Sequence, residues 1–407
     1  MRKLFPLFLA AAVCLPGLIC SLFSVPMSPP AAAAVSGAAI LGASFLLLWA
    51  CDVAQHDIPQ ALALAVVALI AVLPEYAVDM YFTWMAGRHP EADYAHFAIA
   101  NMTGANRLLI GVAWTAVALV VWWRTRRPVV LEPERKTEVL FLGLATAYAM
   151  TIPVKGRLTW VDGLVLVGIY VVYIVIAARR SCEEPDLEGV AACLARLAPP
   201  RRRLATAALF VFAAGVIVAN AEHFSEGLVA TGRLWGISEF LLVQWLAPVA
   251  SEAPEFIVAI MFALRGMGGL ALGSLLSAKL NQWTLLVGMI PGVYGVSSGS
   301  FVSPMPLDGL QLHEILLTAA QSLLAVGLLA GLKLDIRGAI LLFGLFCGQF
   351  LAPAVPEAVW RLLPGRLDGT QVHYLFSFLY LGAFVLLLPR SAPRFWALVR
   401  PTGRRGS

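Results

Sequence analysis

The chain has 407 residues, of which 60% are hydrophobic and only 13% are charged, and its mean hydropathy is +0.82. A water-soluble fold covers its surface with about 25% charged residues. An ordinary soluble enzyme or binding module is therefore excluded, and lipid is the expected solvent for most of the chain.

Apolar stretches of about 20 residues, long enough to cross a hydrocarbon core of roughly 30 Å as helices, recur from end to end. Twelve spans are expected, at residues 4–24, 34–54, 58–86, 94–123, 137–154, 160–178, 204–221, 238–264, 268–296, 310–331, 335–354 and 371–389. The first follows Arg2 and Lys3 and also fits a signal peptide. No small-x-small cleavage site follows it, which favours a retained helix. Asp52 and His56 fall near the inner end of the second span, and Glu222, His223 and Glu226 near the outer end of the seventh. Solvated helix ends are the plain reading of these groups, and vestibule or proton-path groups the alternative. Lys and Arg crowd into 124–136, 179–203 and the tail beyond 389, while 297–312 carries none. With a cytoplasmic N-terminus, twelve crossings place all three basic segments and the C-terminus inside. The net charge of +5 is therefore topological, and no nucleic-acid partner is indicated. Trp122, Trp123, Trp160, Trp235 and Trp360 stand near span ends, as aromatic belts do. The six cysteines (Cys14, Cys20, Cys51, Cys182, Cys193, Cys347) form no C-x-x-C pair and read as packing residues.

An internal repeat carries the functional argument. "AVLPEYAVDM" (71–80) and "SEAPEFIVAI" (251–260) share Pro-Glu-aromatic-x-Val, which makes Glu75 and Glu255 equivalent. Each is followed by a helix opening on small and amide residues, "AIANMTGANRLLIG" (98–111) and "LALGSLLSAKLNQW" (270–283). Five spans separate equivalent points of the copies, an odd number, so the repeat is inverted. In inverted-repeat transporters the substrate site lies near the midplane on interrupted helices. Pro74 and Pro254 each remove an N–H from an expected helix interior and free a carbonyl. Such a break is tolerated in lipid only where protein or a wet cavity satisfies the freed groups. A Glu beside it adds a carboxylate, giving the all-oxygen surroundings that a hard cation prefers.

These residues resemble the cation/calcium exchanger superfamily, whose repeats carry G-T-S-x-P-E followed by a helix of the form G-N-x-x-G-S-N-x-x-N or D. The likeness covers roughly residues 34–354. It implies an all-α polytopic membrane protein, an inverted repeat of two five-helix units, here with one extra helix at each end. It also implies exchange of Ca2+ for Na+ or H+ by alternating access. The acid of the motif is kept as Glu75 and Glu255, which the resemblance makes the metal ligands. The Thr-Ser pair reads Ala71-Val72 in the first copy and Ser251-Glu252 in the second. The G-N pair reads Ala100-Asn101 and Gly273-Ser274, and G-S-N reads Gly104-Ala105-Asn106 and Ser277-Ala278-Lys279. The last amide or acid falls on Leu109 and Gln282.

The ion-binding candidates are thus Glu75, Glu255, Glu252, Ser251, Asp79, Asn101, Ser274 and Gln282, with Lys279 and Arg107 compensating charge. Glu75, Asp79, Glu252 and Glu255 against the two bases leave a formal charge of about minus two, suited to one divalent cation. Lys279 stands where a fixed ammonium can replace a monovalent ion, which points away from Na+ coupling and towards protons. A structural ion pair with Glu252 or Glu255 is its plainer reading. Arg107 snorkels, meets Asp79 or contacts the substrate directly, and Asn101 and Ser274 serve coordination or helix packing. The Gly-rich stretch 265–273 lacks the Gly-Lys-Ser/Thr ending of a phosphate loop and reads as a turn.

The expected function is a secondary cation antiporter without a cofactor, its partners being inorganic cations and the bilayer of a prokaryotic cytoplasmic membrane. An ion-binding protein that does not transport is the alternative, ahead of an intramembrane enzyme, for which no H-E-x-x-H or G-x-S-x-G motif lies in a span. The expected organisation is an extra N-terminal helix (1–33), a first repeat (34–178), a cytoplasmic loop (179–203), a second repeat (204–354), and an extra helix with a basic tail (355–407).

Overall fold

A computed structural model of the chain describes residues 4–55, 57, 72–178, 187, 189–352, 355 and 369–399. His56, Ala71, Cys182 and Trp360 lie outside them. In chain order the helices are α1 (Phe5–Leu22), α2 (Pro29–Ala54), α3 (Leu73–Arg88), α4 (Tyr94–Leu108), α5 (Thr115–Thr125), α6 (Lys136–Ala149), α7 (Thr151–Lys155) and α8 (Trp160–Ala177). They continue as α9 (Gly189–Ala195), α10 (Pro199–Trp235), α11 (Glu239–Leu264), α12 (Gly268–Asn281), α13 (Val287–Ser297), α14 (Gly309–Leu329), α15 (Ile336–Leu351) and α16 (Gly369–Val399). Four two-residue strands join them: β1 (Val129–Val130), β2 (Arg157–Leu158), β3 (Met305–Pro306) and β4 (Lys333–Leu334). This all-helical make-up follows from the solvent, because only a helix or a closed barrel satisfies every backbone group within lipid.

Among the described residues nine helices are long and apolar enough to cross a bilayer. The three other expected spans correspond to α3, whose preceding residues 58–71 are not described, to the continuous helical run from Gly268 to Ser297, and to the shorter apolar α15. Local chemistry sets several ends. Asp308 opens α14 with a capping box, its side chain accepting from Gln311 N–H while the Gln311 side chain accepts from Asp308 N–H. Gly236, at φ +64°, closes α10 in the left-handed conformation that costs glycine little.

Pro74 lies in the first turn of α3, and the residues before it, 58–71, are outside the described ones. Three expectations are corrected. Pro254 is interior, yet α11 runs through both Pro248 and Pro254 without ending. Finally, α10 extends well past residue 221 to Trp235, so Glu222, His223 and Glu226 sit within a helix and not at its end. The sequence there turns polar without offering a helix stop until Gly236. Part of the expected 179–203 loop is also helical, as α9 and the start of α10.

The chain forms two compact units. The first comprises Met1–Ala105, Val171–Pro254 and Gly292–Ser303. Its centre is α2 against α10, with α1 beside them, around Cys14, Ala39, Ala43, Leu46, Leu47, Ala213, Val216 and Ile217. Small residues permit this approach. A Cβ on Gly37 would lie 2.8 Å from the Phe224 ring, and one on Gly227 would lie 2.7 Å from the Ala33 backbone. The partner number falls as the α2 number rises, so the two helices run antiparallel.

The second unit comprises Asn106–Tyr170, Glu255–Pro291 and Pro304–Ser407. Its strands display the repeat directly. β1 pairs antiparallel with β4 (Val129↔Leu334, Val130↔Lys333), and β2 pairs with β3 (Leu158↔Met305, Arg157↔Pro306). One constant shift in sequence carries Val129 onto Met305 and Arg157 onto Lys333, and so converts β1 into β3 and β2 into β4. The two ladders are therefore the same pairing, residue for residue, seen from each copy. The π-helical turns that follow α4 and α12, Leu109–Trp114 and Gln282–Leu286, are likewise a duplicated pair.

Candidate functional site

In the first unit, Glu75 occupies the first turn of α3 and is 1% exposed. The unpaired N–H groups and positive end of the helix dipole favour a carboxylate there. Asp79, one turn further and fully buried, accepts a hydrogen bond of 3.2 Å from Asn101 Nδ2 on α4. Its other oxygen Oδ2 and the Asn101 carbonyl Oδ1 accept nothing from the described residues. One hydrogen bond joins the two groups that carry these buried acceptors. Ser251 and Glu252 are buried on α11, and the Ser251 hydroxyl donates to its own helix, to Pro248 O at 3.3 Å. Pro248 lacks the N–H that would bond Gln244 O. That carbonyl instead faces Gly104 of α4, where an added Cβ would fall 1.8 Å from it. The motif glycine thus lets α4 close on the Gln244 carbonyl, four residues before Pro248.

Beside this lies a second polar group. Glu226 Oε1 of α10 accepts from Tyr81 Oη at 2.8 Å and Tyr94 Oη at 2.7 Å. Sequence reasoning placed Glu226 at a solvated helix end and missed both phenols. Just beyond α2, Asp57 accepts from Arg202 Nε at 2.7 Å and from Arg203 Nε at 3.0 Å. The Arg202 hydrogen bond, reinforced by that of Arg203, holds the Asp57 carboxyl well below the usual carboxylate range.

In the second unit, Glu255 is half-buried, one residue after Pro254. Lys279 of α12 is fully buried; its Nζ donates to Asn106 Oδ1 at 2.6 Å and lies 4.4 Å from the centre of the Trp283 ring. Asn106, present in the sequence reading only as a motif letter, is therefore an acceptor for this ammonium. Gln282 is buried at the start of the second π-helical turn. Ser274 is not its first-repeat counterpart's equal. Asn101 is buried, whereas Ser274 is exposed and its hydroxyl donates to Ala271 O at 2.9 Å on its own helix. The shared motif position does not survive as a shared environment.

Arg107 is buried and does not snorkel; its guanidinium donates to Glu314 of α14, which is equally buried. Sequence reasoning missed Glu314, although the repeat contained the signal. The shift that carries β1 onto β3 also carries Glu138 onto Glu314. Glu138 accepts from Arg135 at 2.8 Å and from Ser277 Oγ of α12 at 3.0 Å. Each repeat therefore sends an acid from its helix after the ladder strand to the motif helix of the other copy.

Among the described residues no three His, Cys, Asp or Glu side chains are grouped closely enough to hold a metal ion by themselves. A polytopic helical protein built of two repeats, each with an acid beside a proline, has the architecture of a membrane transporter. The chain belongs to the sodium/calcium exchanger protein family, whose model matches residues 28–179 and 205–353. This is a family of transporters and not an enzyme class. The structure is similar to that of an H+/Ca2+ exchanger, CAX, with a TM-score of 0.89 and 42% identity, covering 98% of this chain and 97% of that one. It is similar in fold to the sodium-calcium exchanger NCX_Mj, with a TM-score of 0.50 and 19% identity over 86% of this chain and 99% of that one. In sequence it is 22% identical over 252 residues, 62% of this chain, to 74% of the membrane protein MJ0091 of Methanocaldococcus jannaschii.

Proposed function

We propose that the chain is a secondary antiporter that exchanges Ca2+ for H+, with Glu75 and Glu255 as the residues that bind each ion in turn. The carrying observation is the 42% identity to an H+/Ca2+ exchanger across nearly the whole of both chains, with the acid of both repeat motifs retained. The first repeat has Val72 where the family pattern has a hydroxyl, which removes a neutral oxygen ligand and leaves the carboxylates as the principal ion-binding groups.

Carboxylates suit this exchange. Two of them balance the charge of one Ca2+, and an oxygen-rich shell is what that ion prefers. When Ca2+ leaves, bare carboxylates in a low-dielectric site are costly, and protonation relieves that cost. Ca2+ and protons are thus mutually exclusive occupants, which is the condition antiport requires. Asp79, Asn101, Ser251, Glu252 and Gln282 supply further oxygens to the ion or its path; Ser274 is the weakest of the candidates, since its hydroxyl is engaged on its own helix. The basic segments support a cytoplasmic location for both termini, and a prokaryotic cytoplasmic membrane is the location we propose.

Radioactive Ca2+ uptake into proteoliposomes under separately imposed pH and Na+ gradients tests the reading. Flux should follow the pH gradient, ignore Na+, and vanish in Glu75→Gln and Glu255→Gln. Flux that follows Na+ and ignores pH overturns proton coupling, and absence of any gradient-driven flux leaves only an ion-binding protein.

A further inference from the structure

Asn106 and Lys279 occupy the same position of the two repeats, since the shift that carries one π-helical turn onto the other, Leu109 onto Gln282, also carries Asn106 onto Lys279. They touch each other, Nζ to Oδ1 at 2.6 Å, and both are fully buried. Equivalent residues of an inverted repeat meet only where the internal two-fold axis passes, so this contact marks that axis within the second unit. Repeat symmetry alone would put an amide at both positions. Two facing amides on an axis in a buried site can hold a cation when they turn their oxygens to it, since a carbonyl oxygen offers lone pairs and no proton. Here one of the two amides has been replaced by an ammonium. That ammonium lies 2.6 Å from the Asn106 amide oxygen and 4.4 Å from the centre of the Trp283 ring, contacts of the kind a monovalent cation makes.

We propose that the Lys279 ammonium is a resident cation, tethered at the place where a free monovalent ion would bind between the two copies, and that it excludes Na+ as the counter-ion. This inference rests on the reading of the chain as a proton-coupled exchanger and names the residue that sets its ion selectivity. A covalently attached charge cannot leave with the transport cycle, so it holds the site's charge constant and leaves coupling to groups that gain and lose protons. Lys279 does not itself carry a transported ion, and its role is to occupy.

The test is Lys279→Asn, which restores the amide demanded by the repeat, alongside Lys279→Gln with a longer stem, Lys279→Arg, which keeps the charge, and Lys279→Met, which removes charge without supplying an oxygen. Two readouts are used: Ca2+ flux in proteoliposomes under a Na+ gradient, and the melting temperature of the detergent-solubilised protein in NaCl against choline chloride. Lys279→Asn or Lys279→Gln should gain Na+-driven Ca2+ flux at least about tenfold above the wild-type background, together with a Na+-specific rise in melting temperature. Lys279→Arg and Lys279→Met should gain neither. Amide variants that melt cooperatively and ignore Na+ in both readouts overturn the proposal while leaving proton coupling of the wild type intact. Wild-type flux driven by Na+ overturns proton coupling itself, and is recognised before any variant is made.

Discussion

Glu314→Gln is the most informative single perturbation of the fold. Arg107 and Glu314 are 1% and 0% exposed, so neither has water to fall back on. Removing one member of a buried pair leaves the other charge uncompensated, at a cost of about 3–5 kcal/mol. That is a fall of roughly two to almost four powers of ten in the folded-to-unfolded ratio. The glutamine keeps the size and one acceptor oxygen, so the loss reports charge and not volume. Replacing both partners, Arg107→Met with Glu314→Leu, removes the stranded charge and should recover most of the loss, or exceed wild type by ~1–4 kcal/mol as other buried pairs do when made apolar. The assay is SDS titration of detergent-purified protein followed by tryptophan fluorescence, run as a double-mutant cycle. A Glu314→Gln loss below about 1 kcal/mol, the range of an exposed pair, would refute the argument that this pair is dry and mutually dependent.

Other outcomes follow from the same geometry. Gly104→Ala should prevent α4 from closing on Gln244, because the new Cβ would meet that carbonyl at 1.8 Å; folded yield and melting temperature should fall sharply. Gly215→Ala, whose Cβ meets nothing within 4 Å, is the matched control and should be neutral or stabilising by about 0.5–1 kcal/mol. For Asp57 the folded pKa is lowered, chiefly by the Arg202 hydrogen bond. Its stabilisation is therefore present above the unfolded value of about 3.9 and is lost as pH falls through the folded value. Asp57→Asn should be destabilising at neutral pH, with the difference from wild type shrinking only in strong acid. A difference that is constant with pH would show that the carboxylate charge is not what Arg202 and Arg203 recognise. Gln substitution of Glu75 should abolish Ca2+ flux without loss of folded protein, since it preserves the first turn of α3.

Much of the architecture was legible because lipid makes demands that appear directly in composition. Long apolar runs, alternating basic loops and a duplicated Pro-Glu motif each have one physical reading in a bilayer. What the sequence left ambiguous were contacts set by the third dimension. Pro74 and Pro254 look alike as letters, but one stands in the first turn of α3 and the other inside α11. Ser274 and Asn101 share a motif position and differ in burial. Glu314 was missed because it lies outside the Pro-Glu motif and its motif helix, on which the repeat was first recognised. Its equivalence to Glu138 emerges only once β1 and β4, and β2 and β3, have been seen to pair at a constant offset.

The repeat also shows where the two copies have diverged. The ladders, the π-helical turns and the acids Glu138 and Glu314 are duplicated features, and they hold the repeat together whichever ion is carried. Departures from duplication fall on the motif helices: amide against ammonium at Asn106 and Lys279, and buried amide against exposed hydroxyl at Asn101 and Ser274. A symmetric scaffold can offer the same pathway from either side of the membrane, but two identical half-sites would bind two like ions. The proposed selectivity of Lys279 rests on one such departure, an ammonium where the first copy has an amide.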